Sequence, residues 1–600
     1  MSLRRLICLL LVLCLARPGV MAAAFTQEET GVVTAYVDAD SGTVAPLLAP
    51  LGISDENWEG AKEALRAGFR QRKDSIDLSA YSLPRGVLSQ LVGTIVNREP
   101  EFYYVAQSFQ YGYNDAGLVV YLRPTYYSAD QRDPAAYEAA IEAAVKDAVR
   151  ADMTDLEKLL ALHDYLITHC AYDQSLTMVT AYDALVSGSA VCQGYTMAYR
   201  ALLDRVGIES TVVASEAMNH AWNLVELDGN WYHVDVTWDD PAPDLQGQVN
   251  HTFFLLSDEA IATVTYDGDS NLHYGWEQIC ICDDTRFDEG QYWTPIRSRI
   301  LFGKDRVAYL QDGGTALEVV LRGRSNGALT LLHTQQAQWA LSGLTGVYYE
   351  KAFSGLSLDG GDYYFNTQTG VFRLSADGQD CAQVYTSERS IYGSTVESGI
   401  LRLSLASDPK GTDLTLESHI LTRYGVVPFT DVVYGRYYYD NVGWAYSGGI
   451  VQGMSATSFA PEDTCTRAQA VTFLYRAAGE PEVTVNECPF VDVEPGRYYY
   501  NAVLWAVEQG IVQGVDQTHF APDDTVTRGH FVTFLYRLAG TPQVQSTAAF
   551  VDVAPGRYYT NPVAWAAQSG IVKGMDDTHF APGSPCTRGQ VVTFLYRFFA

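Results

Sequence analysis

A chain of 600 residues carrying 71 Asp and Glu against 40 Lys and Arg has length for several cores and a formal net charge of −31. That charge excludes a phosphate backbone as a partner, because no local basic patch offsets the repulsion. With 47% hydrophobic and 18% charged residues, the composition is that of globular domains and excludes a disordered chain.

Residues 1–24 read as a secretory signal peptide: Arg4 and Arg5 precede an apolar run from Leu6 to Ala16, and the small residues Ala22, Ala23 and Ala24 close it. The run is too short to span a bilayer, and no other stretch is long and apolar enough, so the mature chain is expected outside the cell without a membrane span. Once Cys8 and Cys14 leave with the signal, the remaining cysteines form no dense disulfide framework. Cys280 and Cys282 are spaced like metal ligands, but no second pair or nearby histidine cluster completes a site, so neither a metal nor a cofactor is expected. Residues 25–150 read as an accessory α+β region, with helical patterns over 57–72 and 135–149 and strands over 102–105 and 118–122.

The chemistry is expected in 151–290. Thr154-Asp-Leu-Glu157 is a capping box opening a helix through Cys170, with His163 on its apolar side as a buried, hydrogen-bonded core histidine. A turn-prone Ser187-Gly-Ser leads into a second helical pattern, which puts Cys192 in the first turn, where unpaired N–H groups and the macrodipole favour a thiolate. Downstream, two alternating apolar runs flank Asp228-Gly229-Asn230, the signal of a β-hairpin. With Asp228-Gly229 as the loop, His220 lies opposite Thr237, and Asp235 is its diagonal neighbour on the same face. Cys192, His220 and Asp235 then make a nucleophile, a base and an orienting carboxylate. Parity alone does not separate His220 from His233, and Asp239 or Asp240 is a second choice for the carboxylate because Pro241 signals a turn there. The Cys192 N–H is the natural first oxyanion donor; Tyr172, Gln193 and Tyr182 are candidates for the second, and Trp222 and Trp238 for cleft walls or core.

His163-Asp-Tyr-Leu, Val191-Cys-Gln-Gly-Tyr, Asn219-His-Ala-Trp-Asn and Tyr232-His-Val-Asp-Val-Thr-Trp-Asp-Asp-Pro together resemble the transglutaminase-like superfamily. The resemblance implies a papain-like α+β fold with Cys192 as nucleophile, His220 as base and Asp235 as orienter. It leaves open the acyl acceptor, because the family includes amine-transferring enzymes, peptidases and non-catalytic members.

Residues 291–425 break into short alternating segments separated by Gly, Asp and Asn, an all-β module read as a sandwich or a propeller-like meander. The last third is a threefold repeat, 428–484, 489–545 and 549–600, marked by Phe429, Phe490 and Phe550, each opening Phe-x-Asp-Val. Trp444, Trp505 and Trp565 and then Arg467, Arg528 and Arg588 recur in register. Each unit reads as helix, turn, helix, the first helix stopped by Gly449, Gly510 or Gly570 and the second opened by Thr466, Thr527 or Thr587. Cys465 and Cys586 fill the slot that Val526 fills, as small core residues.

These units resemble surface-layer homology (SLH) repeats, whose three copies form a pseudo-threefold unit. The resemblance implies attachment to a pyruvylated secondary cell-wall polysaccharide, with Arg467, Arg528 and Arg588 as carboxylate receptors. Gln469, His530 and Gln590 stand where that family commonly has Glu. Gln can still close a capping box in repeats one and three, which puts the groove of repeat two in question. The whole chain is thus read as multidomain: a transglutaminase-like core, a β-rich module and three helical SLH repeats. The expected function is that of an exported, wall-anchored cysteine enzyme acting on amide bonds of proteins or wall peptides, the alternative being a non-catalytic surface adhesin.

Overall fold

The computed structural model describes residues 27–33, 53–265, 273–485, 487–544 and 550–600, so the signal peptide expected over 1–24 lies outside the described residues. Two units share the chain: one takes the described parts of 1–149 with 173–237 and 253–289, the other 150–172, 238–252 and 290–600.

In the first unit, β1 (Gln27–Val32), β2 (Ile76–Asp77), β3 (Val105–Tyr113) and β4 (Val119–Tyr126) form a sheet of order β1-β3-β4-β2. Helices α1 (Asp55–Arg70) and α2 (Leu88–Val96) share one core with it, built on Trp58, Leu65, Phe69, Leu91 and Phe102. Ser54 caps α1, and Asp133 caps α3 (Pro134–Ala148), whose Pro at the first position wastes no helical donor. The expected strand at 102–105 starts three residues later, because Pro100–Phe102 takes a 3-10 turn.

Helix α4 (Cys192–Val206) ends on Gly207, whose φ of +79° lets the chain leave in the left-handed region. Beside it lies a second sheet, β5 (Ser210–Ser215), β6 (His220–Leu227), β7 (Asn230–Val234) and β8 (Phe254–Leu256), in the order β8-β7-β6-β5. Both faces of β6 are covered, seven of its eight residues being buried and Glu226 half-buried, so its polar His220 and Asn223 lie inside. The hairpin β6-β7 pairs Leu227 with Asn230 across Asp228 (φ +54°) and Gly229 (φ +84°), the two positive φ values a type I′ turn demands.

In the second unit, helix Asp155–His169 has the capping box expected of Thr154 and Glu157. The β-rich segment is three successive four-stranded antiparallel sheets, spanning Leu301 to Gln336, Leu356 to Thr386 and Ser390 to Val427, each with its strands in chain order. Each sheet is therefore a meander, and the second and third share a core through Val371 and Val384 on one and Ile391 and Leu401 on the other.

The three C-terminal repeats form one core around Phe459, Phe520 and Phe580, with Trp505 buried and Trp444 and Trp565 half-buried against it. Each Trp meets a Tyr of another helix: Trp505 with Tyr475, Trp565 with Tyr536 and Trp444 with Tyr596, at centroid distances of 5.4, 5.6 and 5.5 Å. Among the described residues no helix is long and apolar enough to cross a membrane.

Candidate active site

Cys192 is the first residue of α4, and its N-cap Val191 offers no side-chain acceptor to the first turn. Close packing holds that turn down: a Cβ on Gly194 would sit 2.5 Å from the Ala190 Cβ and 3.1 Å from the Thr180 carbonyl, so only glycine fits. The Thr196 hydroxyl donates to the Cys192 carbonyl (2.8 Å) and lies 3.0 Å from the Ala221 carbonyl of β6. Asn223 donates to the Thr196 carbonyl (3.0 Å), so α4 and the strand bearing His220 are locked in register.

The turn before β6 closes through Asn219, whose φ of +51° suits an Asn. His220 follows, buried, with Nε2 donating to Asp235 Oδ2 at 2.6 Å and a further side-chain hydrogen bond joining it to Cys192. The structure thus brings Cys192, His220 and Asp235 together. Burial opposes charge on the imidazole, but the Asp235 charge and hydrogen bond, followed by Cys192, outweigh it and raise its pKa well above the ordinary value. Burial would also push Asp235 up, yet the charge and hydrogen bond of His220, and then His273, hold it well below the usual carboxylate range.

His273 has no counterpart in the sequence reading. The Ser215 hydroxyl donates to the Tyr274 carbonyl (2.6 Å) and Ser215 bridges to Trp276, so the segment after His273 runs along the end of β5. His273 Nε2 then donates to the same Asp235 Oδ2, at 2.8 Å, from a site that is 1% exposed. Trp222 stacks on His220 (5.5 Å, 22°) and meets His273 edge-on (4.8 Å, 78°), so both imidazoles are fixed by one indole as well as by one carboxylate.

The rival histidine is accounted for. His233 Nδ1 accepts from the Trp222 indole N–H (2.8 Å), so its proton sits on Nε2 and goes to Asp258 Oδ1 (2.8 Å). Burial lowers the His233 pKa, in keeping with that neutral tautomer. Cys282 stands beside this pair, its thiol pushed up to about 12 chiefly by burial, and the His233 nitrogens are both committed to hydrogen bonds. Of the candidate second oxyanion donors, Gln193 gives its amide to the Asn97 carbonyl and Tyr182 accepts from the Asp133 N–H (3.3 Å).

Asp239 and His163 belong to the second unit and to another cluster. His163 is wholly buried with Nδ1 on Asp164 (3.0 Å) and Nε2 on Asp239 (3.1 Å), while His251 spans Asp164 (2.9 Å) and the Ile296 carbonyl (3.0 Å). Burial alone would lower the His163 pKa, but the two carboxylates raise it from 6.5 to about 9. The stabilisation from its charge is complete below about pH 6.5 and disappears as pH rises through about 9, a loss on the order of 3 kcal/mol. Thermal melting is therefore expected to fall across that window in the wild type and less steeply in His163→Gln, which starts from a lower melting temperature and keeps the part of the slope that the raised pKa of His220 contributes.

In the repeats the three arginines are 5%, 3% and 2% exposed, and their guanidinium groups reach into a neighbouring repeat. Arg467 donates to the Phe520 and Gln513 carbonyls (2.8 and 3.0 Å), Arg528 to Phe580 and Lys573 (2.8 and 3.0 Å), and Arg588 to Phe459 and Gln452 (2.8 and 2.9 Å). Repeat one grips two, two grips three and three grips one. The motif Asp holds each receiving turn: Asp431, Asp492 and Asp552 accept from the N–H groups of the same Phe and of the Ala after it. Burial lowers the pKa of all three guanidinium groups, and the carboxylates that offset it, Asp524 and Asp492 for Arg467, Asp552 for Arg528 and Asp463 and Asp431 for Arg588, act as charges at a distance. Thr466 with Gln469 and Thr587 with Gln590 form reciprocal capping boxes, whereas His530 receives the Thr527 cap without returning it.

Comparison with known proteins agrees with both resemblances. The transglutaminase-like superfamily model matches residues 142–236, and the S-layer homology domain model matches 428–471, 489–532 and 549–592. The chain is 33% identical over 147 residues to a surface-layer 125 kDa protein of Lysinibacillus sphaericus, covering 23% of this chain and 12% of that one. It is 24% identical over 155 residues to a cellulosome-anchoring protein of Acetivibrio thermocellus, covering 25% and 35%. Both matches span well under two thirds of the relative's length. A crystal structure of a TGase aligns at 14% identity over 24% of this chain and 47% of that one, with a TM-score of 0.16. The chain therefore contains a transglutaminase-like domain and three SLH repeats, and the repeats mark it as a cell-surface protein attached to the cell wall.

Proposed function

We propose that the chain is an exported cysteine acyl-transfer enzyme that acts on amide bonds of proteins or wall peptides while its repeats hold it to the wall. The observation that carries the reading is the buried relay from Cys192 through His220 to Asp235. The helix N-terminus and a charged His220 both favour the Cys192 thiolate. Its sulfur attacks the amide carbon, the developing oxyanion forms beside the first N–H groups of α4, and His220 delivers its proton to the leaving amine. The thioester is then resolved by water, or by an amine, with His220 taking the incoming proton. Hydrolysis is favoured over crosslinking because water is everywhere outside a cell.

His273 is a positioning residue in this reading: it gives Asp235 a second N–H donor and so keeps the carboxylate ionised and aimed at His220. His273→Phe is expected to move the acid edge of Cys192 reactivity to higher pH, since a carboxylate with one donor fewer takes a proton more readily and no longer supports the imidazolium. His273→Gln, which retains an N–H, is expected to recover much of the profile.

For the anchor, we propose that the repeats bind an anionic secondary cell-wall polysaccharide, pyruvylated in chemistry. Arg467, Arg528 and Arg588 supply the positive charge behind the grooves while their Nε and Nη2 hydrogen bonds hold the groove walls. The cellulosome-anchoring relative fits that role. Incubating the mature protein with isolated wall peptides or denatured casein and following new amine termini by mass spectrometry tests the enzyme. Product formation should vanish in Cys192→Ala; equal product from both proteins would leave a wall-bound adhesin.

A further inference from the structure

The three repeats meet on their pseudo-threefold axis through one residue each, the residue before the capping Thr. Cys465 N–H donates to the Cys586 carbonyl, Cys586 N–H to the Val526 carbonyl and Val526 N–H to the Cys465 carbonyl, all at 2.9 Å, which closes a ring of backbone hydrogen bonds. Antiparallel bridges flank it: Thr464 with Thr587, Thr466 with Thr525 and Thr527 with Pro585. The Arg588 N–H to Asp463 carbonyl bond (2.9 Å) completes the pairing on the side of Cys465 and Cys586.

That register sets Cys465 opposite Cys586. Residues opposite each other in an antiparallel pair turn their side chains to the same face, with Cα atoms about 5.5 Å apart when they exchange both backbone hydrogen bonds; of those two bonds Cys465 and Cys586 make one, the Cys586 N–H turning to Val526 instead. A disulfide spans Cα separations of roughly 4.4–6.8 Å. Both side chains are 0% exposed and lie in one core, and both are thiols in the structure. The third position is Val526, so a single pairing is available. Its location is also distinctive. Repeats one and two, and two and three, are joined by the chain itself, whereas the seam between three and one is closed only by contacts such as Arg588 with Phe459.

We propose that Cys465 and Cys586 are a modification site, oxidised to a disulfide that covalently closes the repeat ring at its open seam. The reaction is thiol–disulfide exchange with a small-molecule disulfide of the cell exterior. One cysteine thiolate attacks that disulfide and expels one thiol; the other cysteine then attacks the mixed disulfide and expels the second. Two protein thiols are oxidised, and one disulfide is reduced to two thiols. Burial pushes the Cys586 thiol up to about 12 and also raises that of Cys465, so exchange is slow once the core has closed. The bond therefore forms as the repeats assemble and is then shielded from reductant.

The test refolds the full mature chain with oxidised glutathione, unfolds it in urea with maleimide present, and maps peptides without reduction. The expected result is a Cys465–Cys586 linked peptide, no maleimide on either residue, and a urea midpoint for the repeats that drops when the protein is reduced before unfolding. Cys465→Val, which copies the residue at position 526, should fold and show no such drop. Maleimide on both cysteines of the oxidised protein, or an equal reductive drop in Cys465→Val, overturns the proposal.

Discussion

Asp235→Asn lowers the rate at which Cys192 is alkylated at pH 5.5 by about tenfold or more. Asn can still accept the His220 and His273 N–H groups through its side-chain oxygen, so the change removes charge and spares geometry. Without the carboxylate, burial is the dominant influence on His220, which becomes neutral and no longer supports a thiolate. An ordinary thiol of pKa about 8.5 is only about one part in 10³ thiolate at pH 5.5. Its greater intrinsic nucleophilicity recovers up to about 10², which leaves the tenfold deficit. Amide turnover, which also needs His220 as a proton donor, should fall much further, by about 10⁴. Peptide mass spectrometry with the other cysteines as internal controls reads the first effect. An Asp235→Asn protein labelled as fast as wild type would remove Asp235 from the relay.

Arg528→Met destabilises the repeat ring by about 3–6 kcal/mol. The guanidinium makes two charge-assisted hydrogen bonds, to the Phe580 and Lys573 carbonyls, each worth roughly 1.5–3 kcal/mol, and methionine leaves both acceptors buried and unpaired. Its stem would still cover the Phe580 ring, which the guanidinium carbon overlies at 4.5 Å, so the loss reports hydrogen bonding more than packing. Arg467→Met and Arg588→Met should cost similar amounts, because each arginine makes the equivalent pair of bonds to another repeat. Urea unfolding of the three variants checks both the size and the threefold equivalence.

The sequence made legible what depends on local spacing. Cys192 follows a Ser-Gly-Ser turn and opens an amphipathic helix, and the Asp228-Gly229 loop fixes the register that carries His220 toward Asp235. On parity alone His233 is an equal rival, because it lies on the same face, and in the sequence only the family resemblance chooses His220. What separates it from His220 is the Trp222 indole proton on Nδ1, a tertiary contact. His273 was hidden for the same kind of reason: it lies 38 residues beyond Asp235 and arrives through the Ser215 contacts, which no periodicity announces. His251 likewise joins Asp164 across 87 residues. In the repeats, the Thr-Arg pattern located the arginines, but the carbonyls they grip belong to other repeats, up to 136 residues away for Arg588 and Gln452. Their burial follows from ring closure, which a motif read one repeat at a time does not contain.

The most direct test of the central claim is the alkylation rate of Cys192 in the purified mature protein between about pH 5 and 8, beside His220→Ala. A relay of Cys192, His220 and Asp235 predicts fast, Cys192-selective labelling that persists at the acidic end and is lost in His220→Ala. Labelling of Cys192 that rises with pH as an ordinary thiol of pKa about 8.5 does, and is unchanged in His220→Ala, would contradict an activated nucleophile.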